Sequence, residues 1–434
     1  MTPYAELVRP DAVHRAVYTD AAVFAAEQER IFRRVWLYVG HESEVPDPGD
    51  FILTRLALDE VLLVRQADRS LALLHNRCAH RGARIAVTRR GNARGFHCAY
   101  HAWSYALDGA LSGVPHEGSY PTGFAGRRSV LGLTRVPRVA SYRGFVFASH
   151  AVSGPDLPEF LGGLAGAIDN LVDRSPAGTV TAAGGRLQMA YRGNWKMFLE
   201  NAVDLVHPGF VHASSVAAAR REKDIADSPG PAGQTAQMLL SNGLSLEQWD
   251  GVPLRAFPGG HVYMGGFYRE GVIASERDDP VFQRYRALLV ARHGEAGAAA
   301  ILGVDRFNNI IWPGMTLNSR FQVIRVLQPL AADHTLVTSQ LFRLDGAPGE
   351  MFELSLRFLN TASSPASLVA SDDLEIFERC QQGLNDPAND WIDVSRGLLR
   401  DRLEADGSRS APGITELAMR AQLRAWRACM TDEQ

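Results

Sequence analysis

Apolar positions along this chain change their spacing twice, and the changes divide it into three stretches. In the first, Phe24, Ile31, Phe32 and Val35 recur at helical spacing behind Thr19-Asp20, which reads as a capped helix. Residues 1–37 are therefore expected to form a helical N-terminal arm. From there to His150 the pattern shortens to apolar runs, Phe51-Ile52-Leu53-Thr54, Glu60-Val61-Leu62-Leu63-Val64 and Leu71-Ala72-Leu73-Leu74, separated by turn residues. That is the pattern of an all-β module, expected over 38–152 with Phe145-Val146-Phe147 as its last strand. Ser153-Gly154-Pro155-Asp156-Leu157-Pro158 reads as the linker out of it. Beyond it, over 153–434, helical stretches alternate with strand-like ones such as Val262-Tyr263-Met264 and Phe321 to Leu327, so an α+β domain is expected. There is no internal repeat.

The β module carries the most specific chemistry. Cys78-Ala-His80 and Cys98-Ala-Tyr-His101 each offer one thiolate and one imidazole from a short turn. Two cysteines on one iron and two histidines on the other make a Rieske [2Fe–2S] centre, whose neutral imidazoles raise its potential above that of an all-cysteine cluster. The competing reading is a structural zinc site, but zinc usually draws its cysteines from one turn and its histidines from another. Here each turn mixes the two.

A second motif lies in the α+β stretch, from Asn194-Trp195-Lys196 to Asp204-Leu205-Val206-His207-Pro208-Gly209-Phe210-Val211-His212. On a continuous helix Glu200, Asp204 and His207 share one face, with Trp195, Phe198, Leu199, Ala202 and Leu205 packing on the other. Pro208 and Gly209 are expected to break that helix and let His212 swing back toward His207. Two histidines and a carboxylate form the facial triad of a mononuclear non-haem Fe(II), with positions left open for oxygen and substrate. The acid is sought in Ser371-Asp372-Asp373-Leu374-Glu375, which by itself reads equally as a capped helix start. If Ser371 or Asp372 caps that helix, Asp373 is free to face inward.

Both motifs and their surroundings, Asn76-Arg77-Cys78-Ala79-His80-Arg81-Gly82, Cys98 through Tyr105, and Asp372 through Gln381, resemble the large (α) subunit of Rieske-type aromatic-ring-hydroxylating oxygenases. The likeness is greatest to the benzoate, anthranilate, terephthalate and salicylate branch. It implies a Rieske domain over 38–152, a catalytic domain of helix-grip type over 153–434 on which the arm packs, and Asp373 as the third iron ligand. It also implies that Asp204 bridges His101 of one subunit to His207 of the next. Glu200 and Asn201 are candidates to support the iron ligands. Arg325 or Arg320 is a candidate to meet a substrate carboxylate, against the commoner role of an ordinary strand arginine. His41, His97 and His261 have no comparable spacing and are assigned nothing.

Composition narrows the partners. Lys+Arg of 45 against Asp+Glu of 48 gives a net charge of -3, so no basic field recommends nucleic acid or an anionic membrane. Four cysteines, Cys78, Cys98, Cys380 and Cys429, leave no disulfide framework, and the first twenty residues lack a basic start before an apolar run; a cytoplasmic enzyme is expected. No G-x-G-x-x-G opens a strand-to-helix unit, so electrons are expected from a separate NAD(P)H-dependent reductase, directly or through a ferredoxin. The resemblance implies a homotrimer, or α3β3 with small β subunits. The expected reaction is hydroxylation, dihydroxylation first among its forms, of an aromatic ring, with or without a carboxyl group, by O2. The same metals serve mono-oxygenation and O- or N-demethylation, and the remaining alternatives are a Rieske electron carrier and a zinc-stapled binding protein.

Overall fold

A computed structural model describes residues 3–221, 230–266 and 274–432. It divides into two compact units, one of Phe32–Phe160 and one of Met1–Ile31 with Leu161–Gln434. These boundaries lie outside the expected 37/38 and 152/153, and hydrogen bonding accounts for the difference. Strand Leu37–His41 pairs with Phe145–Ser149, and just outside them Trp36 Nε1 donates to the Pro155 carbonyl at 3.0 Å. The segments entering and leaving the β module are thus sewn to each other.

The smaller unit holds three antiparallel sheets. One runs in the order Leu71–His75, Asp59–Arg65, Asp50–Leu56, Arg90–Asn92; a second is Arg138–Tyr142, Phe145–Ser149, Leu37–His41; the third is Phe96–His97, Ser104–Tyr105, Leu111–Gly113. The apolar alternation of the longer strands buries Leu62, Val64 and Leu74 in one core with Trp103, Tyr105 and Phe124, and Cys78 and Cys98 sit in that same core.

The larger unit is built on a nine-stranded antiparallel sheet. Its order is Val180–Tyr191, His334–Leu344, Val323–Ala331, Met315–Asn318, Arg306–Ile311, Val262–Gly265, Pro253–Ala256, Arg409–Pro412, Arg402–Leu403. The strand expected from Phe321 starts two residues later, because Asn318 Oδ1 accepts the Phe321 N–H at 3.0 Å and Gln322 takes φ +48°, which makes Phe321-Gln322 part of a turn. In the arm, Asp20 rather than Thr19 caps the helix Ala21–Glu27, its Oδ1 accepting the N–H of Ala22 at 2.7 Å.

Glu27 ends that helix fully buried. Its Oε1 lies 2.5 Å from Lys196 Nζ and accepts Trp426 Nε1 at 2.6 Å, while Oε2 accepts Trp195 Nε1 at 2.9 Å. One carboxylate thereby ties the arm to the helix Trp195–Asn201 and to the C-terminal helix Leu417–Thr431. No helix among the described residues is long and apolar enough to cross a membrane.

Candidate active site and metal centres

The two cysteine turns of the smaller unit are built alike. Cys78 N–H donates to Ala83 O and Gly82 N–H returns to Cys78 O, at 2.8 and 2.9 Å; Cys98 N–H donates to Trp103 O and Ala102 N–H returns to Cys98 O, at 2.8 and 2.9 Å. Each turn needs a left-handed residue four positions after its cysteine, Gly82 at φ +76° and Ala102 at φ +55°. Glycine adopts it freely, whereas alanine carries a cost of roughly 1 kcal/mol that the surrounding structure must offset. The paired turns bring the His80 and His101 rings to 4.6 Å, and Trp103 stacks on His80 at 4.9 Å.

The donor atoms left over suit a [2Fe–2S] cluster. His80 Nδ1 and His101 Nδ1 are buried with no hydrogen-bond partner among the described residues, and both thiols are buried. Burial pushes the Cys98 thiol up, but the backbone N–H groups of Tyr100 and His101 and the Cys78 thiol outweigh it and hold Cys98 below its ordinary value. N–H groups aimed at sulfur are what a thiolate ligand of an iron–sulfur cluster needs. The Tyr105 hydroxyl lies 3.1 Å from Cys78 Sγ and accepts the Ala79 N–H at 3.2 Å.

In the larger unit the helix expected to run through Asp204 ends at Asn201, and Asp204 lies in the turn beyond it. Pro208 does not break a helix. It starts one, the single turn Pro208–Val211, with His207 and His212 at its two ends, because the fixed φ and missing N–H of proline suit a first helical position. The loop is held from the sheet by Asn308 Nδ2, which donates to Ala202 O at 2.7 Å. Glu200 turns away from the histidines and accepts the Tyr18 hydroxyl at 2.7 Å.

Asp373 meets both histidines. Its Oδ1 lies 3.7 Å from His207 Nε2 and 3.4 Å from His212 Nε2, and accepts Asn201 Nδ2 at 3.1 Å. The ligand atoms of His207, His212 and Asp373 lie within 4.8 Å of one another, a geometry that can hold one metal ion. The far nitrogens face carboxylates too: His207 Nδ1 is 3.7 Å from Asp204 Oδ2, and His212 Nδ1 is 3.5 Å from Asp372 Oδ2. Burial raises the Asp373 carboxyl against the opposing pull of His212, His207 and Asn201, and burial lowers His212. A divalent cation would supply the charge both groups lack. Asp204 is held below its ordinary value despite burial, by His207, the Val206 N–H and Arg396.

Asp372 does not cap its helix, contrary to the expectation. The cap lies upstream, where Ser367 Oγ accepts the Ala370 N–H at 3.0 Å and the Ser371 hydroxyl donates back to Ser367 O at 2.6 Å. That releases Asp372 to face His212.

His207, His212 and Asp373 open onto a pocket walled by Met189, Phe198, Met238, Phe307 and Phe358 among others, an apolar lining with a few convergent polar groups of the kind small-molecule sites have. Arg325 is its only Lys or Arg among the described residues. It donates to Ser363 Oγ at 2.5 Å, and burial pulls its guanidinium down to about 10 against the attraction of Asp373. Arg320, the alternative carboxylate partner, is instead paired with Glu276 at 2.6 Å. Tyr105 and Asn308 were given no role from the sequence, and Asp372 was read only as a helix cap or the less favoured of two candidate ligands. The hydroxyl of Tyr105, inside the quoted motif, was the one available signal.

A β unit with two cysteine–histidine turns, joined in sequence to an antiparallel sheet unit with a two-histidine, one-carboxylate pocket, defines an iron-dependent oxygenase. The comparisons with known proteins agree. The Rieske [2Fe-2S] domain model matches residues 35–139, and the ring hydroxylating alpha subunit (catalytic domain) model matches residues 180–432. The 2-halobenzoate 1,2-dioxygenase large subunit of Burkholderia cepacia is 32% identical, over 88% of this chain and 79% of that protein. The anthranilate 1,2-dioxygenase large subunit of Acinetobacter baylyi is 30% identical, over 89% and 80%. A naphthalene 1,2-dioxygenase structure with indole in its active site shares the fold, with a TM-score of 0.81 and 24% identity over 99% of this chain and 95% of that one. The chain belongs to the Rieske non-haem iron ring-hydroxylating oxygenase α-subunit family, enzymes that carry a [2Fe–2S] cluster and a mononuclear iron.

Proposed function

We propose that this chain dihydroxylates an aromatic carboxylate with O2, the Rieske cluster bound by Cys78, His80, Cys98 and His101 and the mononuclear Fe(II) by His207, His212 and Asp373. The observation that carries the substrate class is Arg325, a half-buried, largely desolvated guanidinium in the pocket wall with one hydroxyl as its hydrogen-bond partner among the described residues. A buried cation is costly unless something pairs with it, and a ring-borne carboxylate entering the pocket would do so. The names of the relatives, halobenzoate and anthranilate dioxygenases, point to the same class.

When bound, the cluster supplies single electrons and the iron activates dioxygen. The protein's own contribution is positional. Asp373 and the two histidines leave one side of their site facing the pocket, Asn201 fixes the Asp373 carboxylate, and apolar walls keep the ring dry. Asp204 orients His207 and, in a ring of three subunits with or without small β subunits, would link it to His101 of the neighbouring copy; a head-to-tail ring closes such contacts for every subunit. Electrons come from a cytoplasmic NAD(P)H-dependent reductase, directly or through a ferredoxin.

Labelled-oxygen product analysis with a panel of aromatic acids and a surrogate reductase tests the reaction: a cis-diol carrying two labelled oxygens is expected, and a singly labelled phenol or a released aldehyde would overturn dihydroxylation. Arg325→Gln tests the substrate class. It should raise KM for an aromatic acid by roughly tenfold to a hundredfold, the worth of a charge-assisted hydrogen bond of about 1.5–3 kcal/mol, while an uncharged aromatic is oxidised no more slowly. An equal loss for both substrates would give Arg325 a purely structural role. For the cluster, Cys78→Ser should abolish the visible absorption and the reduced-state magnetic signal together, and a variant that stays brown would refute the ligand set.

A further inference from the structure

We propose that Asp59, His75 and His150, in the smaller unit, form a separate site for an exchangeable divalent transition metal ion of the zinc class. None of the three belongs to either iron-binding motif. Asp59 opens the strand Asp59–Arg65 and His75 closes the strand Leu71–His75 beside it. Val61 lies opposite His75 in the ladder, and residues two apart on a strand share a face, so Asp59 and His75 project to the same side. His150 follows the strand Phe145–Ser149 directly. The ligand atoms of the three side chains lie within 4.8 Å of one another, and the two imidazole rings are 5.4 Å apart between centroids.

The contact between His150 and Asp59 is the physical argument for an ion. His150 Nε2 and Asp59 Oδ2 are both buried without a hydrogen-bond partner and lie 3.2 Å apart, with the Arg33 guanidinium facing the same oxygen as an ion-pair partner. In the neutral tautomer protonated on Nδ1, Nε2 turns a lone pair toward a carboxylate oxygen. Two acceptors in contact need a proton or a metal ion between them. Burial holds both His75 and His150 below the ordinary imidazole value, against the attraction of Asp59, and the neutral ring is the form that binds metal.

Two imidazoles and one carboxylate favour zinc and its neighbours over calcium or magnesium, which prefer all-oxygen shells. The other charges facing the site are Arg33, whose Nη2 is 3.1 Å from Asp59 Oδ2, and, in the field of His75, Arg77. A carboxylate offers about four lone-pair positions, so Arg33 and an ion can share Asp59. Its positive charge weakens the ion's hold, which is why the site is assigned to an exchangeable ion.

The test is zinc binding by equilibrium dialysis and metal analysis on the iron-loaded enzyme, with Asp373→Ala used alongside to remove zinc that merely enters the His207 and His212 site. About one zinc per chain is expected in both proteins. His75→Ala and His150→Ala should weaken its binding by roughly tenfold or more, as loss of a ligand or its support does, with the Rieske absorption unchanged; Asp59→Asn, which alters no packing volume, should do the same if an alanine variant fails to fold. Zinc that persists in all three variants overturns the site. So does an Asp373→Ala protein that takes up none, since a proton alone would then bridge His150 and Asp59.

Discussion

Asp373→Ala is expected to strip the mononuclear iron and stop turnover while the Rieske spectrum survives. Among the described residues Asp373 Oδ1 is the one carboxylate oxygen within 4 Å of both His207 Nε2 and His212 Nε2, and two imidazoles alone leave a divalent ion without the anionic ligand of the facial triad. Iron analysis should fall from about three to about two per chain, two being the cluster's share. The neighbouring Asp372→Ala serves as the comparison. Read from sequence as a helix cap, it should cost about 1 kcal/mol of stability and keep its iron. With Ser367 capping the helix and Asp372 Oδ2 3.5 Å from His212 Nδ1, the expectation changes: iron affinity should drop roughly 10–100-fold, because His212 loses the group that orients it. Iron lost only in Asp372→Ala would mean that the ligand is the other acid.

The largest effect on stability is expected at Glu27, far in sequence from either iron-binding motif. Glu27→Ala leaves the Lys196 ammonium buried without its ion-pair partner, with the Val17 carbonyl at 2.8 Å and Asn194 Oδ1 at 3.0 Å as its hydrogen-bond acceptors among the described residues, and it removes the acceptor of two indole N–H groups. Breaking a buried ion pair from one side costs roughly 3–5 kcal/mol, and orphaned donors add to it. For a unit of this size, where about 1 kcal/mol moves the melting midpoint by roughly 2 °C, thermal denaturation should show a fall of roughly 6–10 °C or more. Glu27→Gln should lose less, since one amide oxygen can still accept a hydrogen bond. A midpoint unchanged in Glu27→Ala would show that the arm contributes little to holding the unit together.

What could be read in the sequence was whatever sits close together along the chain. Cys78, His80, Cys98 and His101 fall within two short turns, and their spacing carries the chemistry without any knowledge of the fold. His207 and His212 were legible as a pair, although the route to their convergence was not. A periodicity argument extended the helix past Asn201 because Asp204 fits the helical spacing, and it had no means of weighing the Asx turn that Asp204 makes with the Val206 N–H at 2.8 Å. The roles of Glu27 and the Asp59–His75–His150 group were invisible for a different reason. Each depends on partners dozens to hundreds of residues away, and a lone glutamate in Ala25-Ala26-Glu27-Gln28-Glu29 looks like any solvent-facing helix position until the indoles of Trp195 and Trp426 arrive. Asp372 was misjudged because a serine four residues upstream of Ser371 competes for the cap, and capping strength alone does not choose between two serines.

The pocket wall divides its labour by element type. The side chains that converge on the metal position all sit at helix ends and turns, whereas Met189, Met264, Phe307, Asn308 and Arg325, which face the space a substrate would fill, stand on strands of the nine-stranded sheet. Strand positions can exchange one side chain for another without moving the backbone that carries the helix ends. Selectivity in such a scaffold is therefore free to drift through single substitutions while the reactive centre is inherited intact, and a descendant of this chain could acquire a new diet long before it acquired a new chemistry.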